Sequence, residues 1–268
     1  MPSFLEYDFM LYALISWILI SLICPILGIF LIVRRYTLIS DTLAHSSLTW
    51  VIIGLVSGYN PLITTLLYSM ISAFFIEKFR LTKKLSGDMV LALFLALNMA
   101  FVAIALSLNS RVMLNIGSYL FGSISLVRFE DIFILWGVFM IVIGSFFLQR
   151  KNLMMTTYDE ESARVSGIPT RRVNMLFMLI VGMTIAISFP IVGILLLSSL
   201  LILPVIAASQ IARSFKSTLI IAEILSVFSV VTGIITSYYT DISASGIITL
   251  LLVWFFFVFF ALSTILKK

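Results

Sequence analysis

Apolar runs of roughly 17–25 residues recur along the whole chain, the length a helix needs to cross the hydrocarbon of a bilayer. In that medium backbone N–H and C=O groups find no water, so each run must satisfy its own hydrogen bonds as an α-helix. Hydrophobic residues make up 62% of the 268 and charged ones 11%. Mean hydropathy is +1.20, which excludes a soluble domain. Nine segments are expected, at about 9–33, 38–57, 62–77, 88–108, 131–149, 173–189, 191–211, 218–238 and 246–266. The stretch 113–127 is apolar but short and broken by Gly117 and Gly122, so it reads as a half-span or re-entrant element. The Phe189-Pro190 step is either a gap between two spans or a kink within one irregular element. The expected fold class is therefore an all-α polytopic membrane protein of about eight to nine transmembrane helices, one domain over 1–268.

The first run is too long for a signal-peptide core, and Glu6 and Asp8 precede it where a basic region would stand. It is expected to remain as a helix. The single Cys24 excludes an intrachain disulfide and a cysteine-built metal site.

The net charge of +5 raises the question of nucleic acid, and the placement of the charge answers it. With Arg34 and Arg35 set in the cytoplasm and the spans alternating, 15 of the 17 basic residues fall inside. Only Arg111 and Arg128 fall outside. This is the positive-inside pattern, and it accounts for the charge without a nucleic-acid partner. It sets the N-terminus outside and the C-terminus in the cytoplasm.

The one sizeable hydrophilic segment, about 150–172, is then cytoplasmic. Thr157-Tyr158-Asp159-Glu160 has capping-box spacing, with Thr157 expected to cap the Glu160 amide and Glu160 to reach back. Acidic residues Asp159, Glu160 and Glu161 suit the positive end of the helix dipole. Gly167 suits the stop, and Pro169 follows it. The spacing predicts a short helix over about 158–166, either a solvated connector or a docking element for a cytoplasmic partner.

Within the expected spans the ionisable residues singled out are Asp41, His45 and Glu223. Such groups are costly in lipid and mark function by default. His45 is the only histidine, and Asp41 lies one helical turn before it on the same stripe. Carboxylate and imidazole together are ligands for zinc and related divalent metals. Two ligands do not complete a tetrahedral site, but a homodimer with its twofold axis along the path would supply four. Glu223 is a secondary polar site that can snorkel, pair with Lys216 or Arg213, or serve as a ligand. Asp241, in the turn Tyr238-Tyr239-Thr240-Asp241, is a solvated loop residue or a meeting point for an entering cation or a docked partner.

The stretch Asp41-Thr42-Leu43-Ala44-His45-Ser46-Ser47-Leu48, preceded by Gly28-Ile29-Phe30-Leu31-Ile32-Val33-Arg34-Arg35, resembles the membrane permeases of bacterial metal-uptake ABC transporters. These are zinc and manganese importers that work with a metal-binding lipoprotein. Tyr119-Leu120-Phe121-Gly122-Ser123, Thr157 to Ala163 with Ser166-Gly167-Ile168, and Pro190 to Pro204 resemble the same family in order. The Tyr7-Asp8-Phe9-Met10 opening and Ser40-Asp41-Thr42-Leu43 look more like its zinc permeases than its manganese permeases. Ala44, in place of the family's usual serine, and Trp50, in place of a small residue, depart from the pattern, as does the proline-free turn 241–246.

The resemblance implies a non-catalytic permease of the bacterial inner membrane, moving Zn2+ (or Mn2+) as cargo with no permanently bound cofactor. Asp41 and His45 match the positions that line the metal path. Thr157, Asp159, Glu160, Ala163 and Gly167 match the helix that couples to the ATPase. The expected partners are a second copy of the chain, a cytoplasmic ATPase subunit, an extracellular metal-binding lipoprotein and membrane lipid. The chain lacks a Gly-x-x-x-x-Gly-Lys-Ser/Thr loop, so nucleotide must bind elsewhere. Competing readings are a manganese or iron permease of the same class, and a proton-coupled secondary metal transporter.

Overall fold

The computed structural model describes residues 8–59, 61–82, 85–108, the single positions 117, 120 and 122, and 129–266. Ten helices run through them: α1 (Asp8–Val33), α2 (Ile39–Ser57), α3 (Pro61–Leu81), α4 (Gly87–Leu108), α5 (Phe129–Tyr158), α6 (Glu160–Val165), α7 (Thr170–Val192), α8 (Ile194–Ser209), α9 (Phe215–Thr240) and α10 (Ala244–Leu266). Seven, namely α1, α3, α4, α5, α7, α9 and α10, are long and apolar enough to cross a membrane. Of the other long helices, α2 is the polar one and α8 the short one, at 16 residues. The half-span expected over 113–127 and the Tyr119–Ser123 stretch lie almost entirely outside the described residues.

Two boundaries differ from expectation. The fifth helix does not stop near 149; it runs 30 residues to Tyr158 and carries Arg150 and Lys151 with it. Nothing between 149 and 158 breaks a helix, and the methionines, leucine and asparagine there are tolerated within one. The break expected at Phe189-Pro190 falls instead at Gly193 (φ 86°, ψ 161°), a conformation open only to glycine. Pro190 is absorbed into the last turn of α7.

The chain forms two compact units. One comprises residues 1–32, 118–136 and 190–268. In it α8, α9 and α10 pack against one another, and Leu196, Leu197, Leu200, Leu201, Ile248 and Leu252 are buried. Helix α1 approaches α8 so closely that a Cβ on Gly28 would overlap the Leu201 carbonyl oxygen. Small residues at such crossings are how membrane helices gain contact where water supplies no drive.

The other unit comprises residues 33–117 and 137–189. Here α2 packs on both α3 and α4. Hydroxyl groups stitch the contact. Ser46 and Ser72 share a hydrogen bond of 2.7 Å, and Thr49 donates to the Asn98 carbonyl at 3.2 Å. Trp50 stacks face to face on Tyr68, with centroids 3.4 Å apart and planes 3° off parallel. Trp50 thus joins α2 to α3. Helix α3 meets α7 where Ser69 donates to the Gly182 carbonyl at 3.0 Å.

Candidate functional site

Asp41 lies in the first turn of α2 and His45 one turn later. Both are half-buried, whereas Thr42, Leu43 and Ala44 between them are fully buried. The stripe is a consequence of helical spacing, which puts residues four apart on one edge, while the Thr42 hydroxyl between them lies 3.4 Å from the Leu91 carbonyl of α4. A carboxylate in the first turn also complements the helix dipole. The His45 carbonyl is fixed by Thr49, which donates to it at 2.9 Å. The His45 Nδ1 is enclosed and has no hydrogen-bond partner. Imidazole in that state offers a ligand atom in search of a partner.

No group of three or more His, Cys, Asp or Glu side chains converges as a metal site among the described residues.

Glu223 lies on α9, in the other unit. Its two carboxyl oxygens are enclosed and have no hydrogen-bond partner. Neither Lys216 nor Arg213 reaches it as an ion pair. Asp241 caps α9 in a left-handed conformation (φ 54°) and is exposed, with its amide bonded to the Ser237 carbonyl.

The short helix α6 exists, but its cap differs from the expected one. Asp159, in extended conformation, is the N-cap, accepting from the Glu161 and Ser162 amides at 3.0 Å each. Thr157 is still inside α5, and its hydroxyl accepts from Arg34 Nε at 2.9 Å. An aspartate one position before the helix caps it without the box, and α5 runs too far for Thr157 to serve. The Ser162 hydroxyl and the amides hold the Asp159 carboxyl below the usual carboxylate range. At the other end Gly167 takes φ +81°. Its amide bonds the Arg164 carbonyl and the Ile168 amide bonds that of Ala163, which is a Schellman stop. Ala163 is fully buried and seats the helix on its own chain, while Tyr158 and Val165, at 64% and 90% exposure, face outward.

Sequence reasoning missed the charges beneath α6. Glu77, at the end of the third span, is a further ionisable residue there and is fully buried. It accepts two bonds from Arg80, at 2.8 Å from Nε and 2.6 Å from Nη2. Arg80 in turn lies 3.9 Å from Glu160 of α6 and over the ring of Tyr36. Glu160 also meets Arg164 at 3.3 Å. Beside them Arg34 lies over Phe177, and burial lowers its pKa from 12.5 to about 10 while leaving it charged at neutral pH. Burial likewise raises Tyr36 to about 12. The Glu77/Arg80 spacing of three was a signal, since it puts both on one helix face. The Glu160 contact had none.

The sequence profile of the ABC 3 transport family matches residues 6–263. The chain belongs to this family. It is a multi-pass permease of the bacterial inner membrane, from a non-catalytic family of metal ABC importers. A probable metal transport system membrane protein of Treponema pallidum is 34% identical, over 90% of this chain and 91% of that one. The high-affinity zinc uptake system membrane protein ZnuB of Haemophilus influenzae is 30% identical, over 89% and 91%. Relatives named for manganese and iron transport match as well. The solved structure of PsaBC from Streptococcus pneumoniae in complex with Fab shares the fold, with TM-score 0.83 and 24% identity over 96% of this chain and 92% of that one.

Proposed function

We propose that this permease carries a divalent metal, zinc in preference to manganese, into the cytoplasm past Asp41 and His45. The observation that carries the reading is the half-buried Asp–His stripe on α2, with its unpartnered imidazole nitrogen, on a helix otherwise braced by hydroxyl groups. A homodimer completes the site: two copies of the stripe about a twofold axis give two carboxylates and two imidazoles. The ligation is loose enough to release its ion, as transit requires.

The drive comes from a separate ATPase subunit seated against α6 on the cytoplasmic side, with Val165 and Tyr158 as its exposed apolar contacts. An external binding protein delivers the metal. Nucleotide-driven closure moves α6, and the charged chain Glu160–Arg80–Glu77 passes the motion to α3, which packs on α2. The two sides of the path then open in turn.

The test is uptake and metal content in the permease reconstituted with its ATPase, with zinc and manganese in competition. Expected are zinc preferred, one ion per two chains, and uptake lost at least tenfold in both Asp41→Ala and His45→Ala. Only neutral imidazole binds metal, so uptake falls on acidification through the histidine range. Unchanged metal affinity in both variants refutes the site. Metal movement without the ATPase, driven by a proton gradient, refutes the coupling.

A further inference from the structure

Two adjoining hollows open where the ends of α3 and α7 meet. One, of about 600 Å3, is lined by Lys78, Arg80, Glu160, Arg164 and Arg171, among others. The second, of about 430 Å3, is a groove between Phe74 and Lys78 of α3 and Arg171, Arg172, Met175 and Leu176 of α7. The groove divides by chemistry. Phe74 and Leu176, at 39% and 45% exposure, offer an apolar floor with Met175, and the three cations form its rim. No carboxylate lines it.

Among the described residues Lys78, Arg171 and Arg172 take part in no ion pair, and the nearby Glu160 is engaged by Arg80 and Arg164. The groove is held open by a fixed crossing: a Cβ on Gly182 of α7 would lie 2.9 Å from the Ala73 Cβ of α3, and the Ser69–Gly182 hydrogen bond holds the helices there. The positive-inside rule explains basic residues at a helix end. It does not explain an apolar groove running from beneath them along two membrane-spanning helices.

We propose that this groove binds an anionic phospholipid, its phosphate held among Lys78, Arg171 and Arg172 and an acyl chain laid along Phe74, Met175 and Leu176. A zwitterionic headgroup brings its own cation to the rim, whereas a net negative one completes it. Basic pockets between membrane helices on the cytoplasmic face take such headgroups. The inference needs only the membrane setting and stands apart from the metal reading.

The test is native mass spectrometry of the purified full chain in detergent, with phosphatidylglycerol and phosphatidylcholine of matched chains. Phosphatidylglycerol should be retained in preference. The variant K78Q/R171Q/R172Q should lose that preference by on the order of 100-fold. If that variant does not fold, Arg172→Gln alone is read in the same way, with a loss of about fivefold expected. Phe74→Ala should weaken phosphatidylglycerol, and millimolar inorganic phosphate should fail to displace it. Equal retention of the two lipids, or a preference unchanged by the charge variants, overturns the proposal. Displacement by inorganic phosphate marks a simple anion site and overturns it too. So does release of the lipid when the ATPase subunit is added, since a protein would then be the natural occupant.

Discussion

Replacing Arg80 by Met should destabilise the permease by about 3 kcal/mol, the low end of the cost of orphaning one partner of a buried ion pair. The Glu77 side chain is fully buried and takes both of its Arg80 bonds at 2.6–2.8 Å, whereas the Arg80 side chain keeps 18% exposure. Removing the arginine therefore strands a carboxylate with no other ion-pair partner among the described residues. Loss of the contact over Tyr36 adds about 0.5–1 kcal/mol. The estimate stays at the low end because water that reaches Arg80 will reach Glu77 through the gap. The double variant Glu77→Gln/Arg80→Met removes the stranded charge, and the coupling between the two sites should exceed about 1.5 kcal/mol. Glu160→Gln, at the 3.9 Å end of the chain, should cost under about 1 kcal/mol. The assay is denaturant unfolding in mixed micelles, followed by circular dichroism, for Arg80→Met, Glu77→Gln, their double variant and Glu160→Gln. A cost below about 1 kcal/mol for Arg80→Met, with additive effects, would show that Glu77 is not held by this pair.

Gly28→Ala should destabilise the fold by about 2 kcal/mol or more, because its methyl group would overlap the Leu201 carbonyl oxygen and α1 must move off α8; unfolding within error of wild type would contradict that contact. The Asp159 cap depends on its charge. Its folded pKa lies below the ordinary aspartate value, so its contribution is complete above that ordinary value and lost as pH falls through the lowered one. Amide exchange at Glu161 and Ser162 should speed up in Asp159→Ala at neutral pH, and in wild type only in strong acid. Glu223→Leu should raise stability by about 1–3 kcal/mol in the same unfolding assay, since it removes two enclosed oxygens that lack hydrogen-bond partners; a loss of stability would reveal a partner for that carboxyl.

The candidate site was legible because its information is local. Asp41 and His45 share a stripe by helical spacing alone, and the cost of charge in lipid marks them out. The ends of α6 were half legible. Gly167 stops the helix as its position required, but the cap moved from Thr157 to Asp159 because α5 ran on to Tyr158. Hydropathy registers where the apolar run ends, not where the helix ends, and nothing between 149 and 158 breaks it. The break at Gly193 in place of Pro190 has the same root, since a proline near a helix end costs little and a left-handed glycine ends the helix outright.

By itself the sequence determined an all-helical membrane chain, the helix stripe shared by Asp41 and His45, and the presence of a short capped helix after the fifth long one. Those follow from hydropathy, spacing and capping, each acting over a few turns. Only the tertiary structure decided that Arg34 bonds Thr157 across 123 positions. It alone placed Arg80 between Glu77 and Glu160, and set over one apolar groove three cations that have no ion pair among the described residues. Contacts of that range depend on how helices cross, and crossing is set by small residues such as Gly28 and Gly182 whose effect no single segment contains.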